Sequence, residues 1–135
     1  MGVVGAVGAV QKLRYEDLTR EIIGAAIEVH KTVGPGLLEG VYEECLCHEL
    51  KLRNLSFERQ LIVPITYKGV ALDCGYRLDV VVESAVILEL KSVDRIHPIF
   101  EAQLLTYMRL LQMPVGLLIN FNVPILRSGI VRKVL

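Results

Sequence analysis

The stretch Tyr76–Val93 constrains this chain more than any other. It contains two apolar runs, Arg77–Val82 and Val86–Val93, joined by the polar turn Glu83-Ser84-Ala85. Runs of this length rich in Val, Ile and Leu predict an antiparallel pair of buried strands. Asp79 interrupts the first run, and Glu89 and Lys91 interrupt the second. Side chains alternate along a strand, so Arg77, Asp79 and Val81 are expected on one face, and Ile87, Glu89, Lys91 and Val93 on one face of the next. Buried ionisable groups are costly unless they are paired or bind a metal. Spacing alone leaves two explanations standing, a core ion pair made with Lys91 or a reactive centre.

Either explanation needs a core. The chain has 135 residues, 53% of them apolar, which fits one domain and is too interrupted by charge for a membrane span. Lys+Arg and Asp+Glu both number 15, so no global basic field advertises a polyanionic partner. Any phosphate contact must come from a local patch. Three cysteines, Cys45, Cys47 and Cys74, without CxxC spacing fit small apolar filler in a reducing, cytoplasmic compartment. Met1–Val10 is an uncharged Gly/Ala/Val tract without the features of a signal peptide. It reads as a flexible tail, taken to end at residue 13, with a single domain over 14–135.

Three helices are expected. Leu18–Thr32 carries Ile22, Ile23, Ala26, Ile27 and His30 at helical spacing, with Asp17 or Thr19 as a cap and His30 as a hydrogen-bonded core residue. Gly34-Pro35-Gly36 breaks it. Leu37–Arg53 places Glu39, Tyr42, Glu43, Leu46 and Leu50 on one face, beside an apolar face of Leu38, Val41, Cys45 and Leu52. Pro98–Gln112 presents Ile99, Phe100, Gln103, Tyr107, Leu110 and Leu111 inward, with Pro98 as its first residue. Gln103 and Tyr107 can hydrogen-bond the core or orient a phosphate or a water. Around these helices run Phe57–Tyr67, with Pro64 marking an edge, a hairpin at Lys68-Gly69, a bend at Cys74-Gly75, the buried strand Val115–Phe121 and a last strand Ile130–Val134.

The pattern Asp79-x9-Glu89-x-Lys91, set in the order helix, strands, helix, strand, resembles the PD-(D/E)XK nuclease superfamily, with Leu78 where proline is customary. Gly36-Leu-Leu-Glu39-Gly-Val-Tyr42, preceded by His30 and Gly34-Pro35, resembles the GxxExxY family within it. So do Gly75-Tyr-Arg-Leu-Asp79, Glu101-Ala-Gln103-Leu-Leu-Thr-Tyr107 and Gly116-Leu-Leu-Ile-Asn-Phe121. The resemblance implies an α/β (α+β) restriction-endonuclease-like core with a mixed β-sheet flanked by helices. It implies hydrolysis of phosphodiesters, with DNA as partner and Mg²⁺ or Mn²⁺ as cofactor. Asp79 and Glu89 would hold the metal with a further carboxylate from Glu39. Lys91 would stabilise developing charge, and Gln103 and Tyr107 would complete the catalytic set. A non-catalytic nucleic-acid- or protein-binding module on the same fold is the alternative, and a homo-oligomer is left open. No Walker loop, Rossmann fingerprint, HExxH or GxSxG competes.

Overall fold

The β-branched runs of Tyr76–Val93 pair as their pattern predicts. In the computed structural model, β4 (Arg77–Val82) and β5 (Val86–Lys91) are antiparallel, with Val80 opposite Leu88 and Val82 opposite Val86. The structure describes the backbone of residues 2–73 and 75–135, and side chains from residue 15 onward except that of Cys74. The expected bend at Cys74 lies outside the described residues. Over the expected tail, the backbone of residues 2–13 is part of helix α1 (Gly2–Val33), and only Met1 and the side chains of that stretch lie outside the description.

Five strands form one mixed sheet in the order β1-β4-β5-β6-β7. β1 is Phe57–Ile62, β6 Val115–Asn120 and β7 Ile130–Val134. β1 is an edge strand, and Pro64 lies just beyond it, where its missing N–H leaves no gap in the ladder. What reads in sequence as one strand to Tyr67 is therefore two. β2 (Ile65–Tyr67) pairs with β3 (Val70–Leu72) in a separate hairpin that leaves Tyr67, Val70 and Leu72 exposed.

β5 and β6 are parallel, so a crossover must join them. Helix α3 (Pro98–Leu111) makes it, with Pro98 in its first turn and the His97 ring accepting the Ile99 N–H as N-cap. Every residue of β6 is buried, because both faces of the sheet are covered. α1 (Gly2–Val33) and α2 (Glu39–Leu52) cover one face through Ile22, Ala26, Tyr42, Leu46 and Leu50. α3 covers the other through Leu104 and Met108, which pack on Ile87 and Leu118. The mixed sheet flanked by helices is thus the expected architecture.

Three helix details differ from the sequence reading. α1 begins well before Leu18, so Asp17 and Thr19 are interior positions and not caps. On α2 the buried stripe is Tyr42, Glu43, Leu46, Cys47 and Leu50, while Leu38, Val41 and Leu52 are exposed. On α3 the buried stripe runs through Leu104 and Met108, leaving Ile99, Gln103 and Leu110 exposed. Apolar residues lie on both sides of these short helices, so periodicity alone places the stripe one position off. His30 is buried, with Nε2 2.8 Å from the Val123 carbonyl, as expected of a core histidine. Cys47 is buried too, and burial pushes its thiol up to about 11. It is packing material. Among the described residues no helix is long and apolar enough to cross a membrane.

Candidate active site

Strict alternation lapses where the site begins. On β4, Val80 and Val82 face α1 and α2, yet Leu78 packs with Val81 on the α3 side. The same change occurs on β1, where Phe57 packs toward α2 and Leu61 toward α3. Between them lies Gln60, with φ of 52° in a strand, at the one place where the β1–β4 register skips a pair. Such irregularities re-aim a side chain, as β-bulges do beside active sites. Here the residue opposite the skipped position is Asp79. Its Oδ2 accepts the Leu90 N–H at 2.8 Å, just where β4–β5 pairing stops. Asp79 therefore reaches across to β5, at Leu90 between Glu89 and Lys91.

Glu89 and Lys91 share the face of Ile87, toward α3, and alternate with Leu88 and Leu90. Lys91 Nζ stands 4.4 Å from the centre of the Phe100 ring, a cation–π contact that fixes the ammonium. Tyr107, further along α3, lies close enough to feel both Glu89 and Asp79 and pairs with Tyr76 at 6.1 Å.

The opening turn of α2 comes in from the other side. Gly34 and Gly36 take φ of 72° and 90°, values that favour glycine, and turn the chain sharply after α1. Tyr42 then holds that turn. Its hydroxyl donates to the Gly34 carbonyl at 2.6 Å and accepts the Leu37 N–H at 3.1 Å. Its ring stacks on Phe121 at 4.4 Å, with planes 7° apart. Ser92 Oγ donates to the Leu37 carbonyl at 2.6 Å, tying the turn to the residue after Lys91. Glu39, the first residue of α2, is thereby brought beside Asp79 and Lys91 at the solvent-facing rim.

Glu43, one turn on, is more deeply placed, at 9% exposure. It accepts from Arg59 Nε at 3.1 Å, Arg59 Nη2 at 2.7 Å and Gln60 Nε2 at 2.8 Å. This clamp is the part of the site that sequence reasoning missed. Glu43 was visible from periodicity, but Arg59 and Gln60 sit on a strand whose alternation lapses between them. No local signal marks them.

The charges are strongly coupled. Burial pushes Glu89 up to about 8, with the charges of Asp79 and Glu39 adding and Lys91 and the Asp79 backbone N–H opposing. Burial also raises Asp79, partly offset by the Leu90 N–H. Glu39 is raised by partial desolvation, against the pull of Lys91 and with the push of Asp79 and Glu43. Desolvation and the nearby Glu89 raise Tyr107. Acids outnumber cations here.

One atom tests what the centre lacks. Glu89 Oε1 is buried and has no hydrogen-bond partner among the described residues. The Asp79 backbone N–H acts on this carboxylate but leaves Oε1 without a donor, and such an oxygen beside a second carboxylate fits a cation. The donors are hard oxygens, which fit Mg²⁺ or Mn²⁺ better than zinc. Among the described residues no three His, Cys, Asp or Glu side chains converge as an ion cage. Mg²⁺ does not require one, since it is held by one or two carboxylates and keeps its waters. The fit is to Asp79 and Glu89, with Glu39 beside them but closing no three-acid cage.

Of the residues singled out in sequence, the structure thus gathers Glu39, Asp79, Glu89, Lys91 and Tyr107. Gln103 lies exposed on α3, one turn before Tyr107 and outside this network. Comparison with protein families matches residues 16–133 to the PD-(D/E)XK nuclease superfamily. No curated protein and no solved structure matches the chain.

Proposed function

Because the chain belongs to the PD-(D/E)XK nuclease superfamily, we propose that it is a divalent-metal-dependent nuclease that hydrolyses DNA phosphodiesters, of the GxxExxY type. The observation that carries this reading is the buried, partnerless Oε1 of Glu89 beside Asp79 and Lys91. A divalent cation bound at Asp79 and Glu89 would neutralise phosphate charge and lower the pKa of its water. In the reaction a water oxygen bonds to phosphorus, and the bond from phosphorus to a sugar oxygen breaks.

Lys91, held over Phe100, stabilises the negative charge that develops on the phosphoryl oxygens. Glu39 at the rim accepts a hydrogen bond from the attacking water and orients it. The Tyr107 hydroxyl, beside Glu89, positions the substrate phosphate, and Gln103 reaches the same substrate from the exposed side of α3. The cytoplasm is the compartment proposed, from the thiols.

A non-catalytic binding module on the same fold is the second reading. It draws on the balance of 15 basic and 15 acidic residues, which gives the chain no overall basic field. Linear, nicked, single-stranded and branched DNAs incubated with Mg²⁺ or Mn²⁺ separate the two. Cleavage by the natural chain that Asp79→Asn and Glu89→Gln both abolish supports the nuclease. Metal-dependent binding without any cleavage supports the module.

A further inference from the structure

A second polar site lies away from these acids, between α1 and the chain segment that leads into β7. A cavity of about 510 Å³ opens there, lined by Arg20 of α1, Arg127 of the short 3-10 helix Leu126–Gly129, and Arg132 of β7. Glu16 is the one carboxylate in its lining. Arg20 also pairs with exposed Asp17 at 3.5 Å, a surface contact worth little. Arg127 and Arg132 form no ion pair among the described residues. Arg53 and Arg59, by contrast, are each bound to two glutamates.

The lining also holds an unexplained hydroxyl. Thr19 is only 4% exposed and lines the cavity, and its Oγ1 has no hydrogen-bond partner among the described residues. Helical threonines usually resolve this by bonding the carbonyl four residues earlier. Thr32 and Thr106 both do so, to Glu28 and Ala102. Thr19 does not.

The cavity adjoins a second one of about 560 Å³, which shares Arg127 and Ile27 and adds His30 and Lys31. From Arg20 to Lys31 the groove follows α1 for about 16 Å at 1.5 Å per residue. Three guanidinium groups that line one cavity against a single carboxylate, Glu16, match the oxygens of phosphate.

We propose that this groove binds phosphate groups, with Arg20, Arg127 and Arg132 as donors and the Thr19 hydroxyl in the wall. The ligand is a phosphate-bearing anion, either a free one or the backbone of a polynucleotide. The proposal does not rest on the nuclease reading, since it uses none of the acidic centre. Its test therefore omits divalent metal and leaves Asp79 and Glu89 intact.

Inorganic pyrophosphate binding is measured by calorimetry, and labelled single-stranded DNA binding by anisotropy across a salt series. Arg127→Gln/Arg132→Gln should weaken pyrophosphate at least tenfold without lowering the unfolding temperature, because both side chains are exposed. If DNA is the ligand, the slope of log affinity against log salt also falls, by about 1.4 for two lost contacts at about 0.7 each. An unchanged DNA slope with lost pyrophosphate binding assigns the groove to a free phosphate compound. Thr19→Val keeps the side-chain shape and should weaken pyrophosphate binding as well. Wild-type protein that binds neither probe, or a double variant that binds both as tightly as wild type, overturns the proposal.

Discussion

Glu89 is where the cost of this site is concentrated. Its pKa rises from 4.5 to about 8 in the fold, so the folded state holds a proton that the unfolded chain releases. Stability from this group is fully present below pH 4.5 and is lost as pH rises toward 8. Metal-free protein should therefore melt at a lower temperature at pH 8 than at pH 6, and Glu89→Gln should flatten the difference. Calorimetry in EDTA checks this, and equal slopes for both proteins would refute it. Glu39 and Glu43 separate by the same reasoning. Glu43 is held by charged hydrogen bonds from Arg59, so Glu43→Gln should destabilise by about 1.5–3 kcal/mol. Glu39 has no such clamp. Glu39→Gln should change stability by no more than the 0.3–1 kcal/mol typical of an acid at a helix N-terminus, yet reduce cleavage at least tenfold. If Glu39→Gln cleaves normally and Glu43→Gln fails without unfolding, the water-orienting carboxylate is Glu43.

The elements show what could be read from the chain and what could not. The β4–β5 pair, α3 with Pro98 at its start, the buried β6 and the closing β7 were legible because composition and length agree there. The interruption of the β1–β4 register was not. It falls opposite Asp79 at Gln60, whose φ of 52° nothing in the neighbouring sequence requires. The inward stripes of α2 and α3 were legible only to within one position, since Leu38, Val41 and Leu110 are apolar and yet exposed. The role of Tyr42 was legible as packing, but its two hydrogen bonds to the glycine turn are a product of the fold. Tyr42→Phe should cost about 0.5–1.5 kcal/mol per bond lost. It should reduce cleavage beyond what that loss of stability explains, because the turn sets Glu39. The α3 crossover has an equally sharp test at Gly116. A methyl group there would lie 2.7 Å from Met108 Sδ and 2.8 Å from Leu104 Cδ1. Gly116→Ala should destabilise by about 1–3 kcal/mol, read from urea midpoints, by forcing the Met108 and Leu104 side chains out of their packing.

At the scale of the molecule, the two carboxylates on the strands and the one on α2 assemble at different sequence distances. Residues 14–135 are proposed as the folding unit, and a chain beginning at residue 14 should retain the cooperative transition of the full one. Within that unit, Asp79 and Glu89 belong to one hairpin. Its turn places Glu83 and Ser84 at φ of 51° and 52°, and Ala85 donates its N–H to the Val82 carbonyl at 3.0 Å. Closing so short a loop takes little chain entropy, whereas the parallel β5–β6 ladder must wait for α3. The consequence concerns the order of events in folding. If the hairpin forms early, two like charges meet before α2 is in place, and a proton on Glu89 eases their approach. Refolding in EDTA should then be faster at pH 6 than at pH 8, with the unfolding rate nearly unchanged. Ser84→Gly, which suits the positive φ, should quicken refolding at both values. A chevron that shifts with pH only along its unfolding limb would place the meeting of the two acids after the rate-limiting barrier.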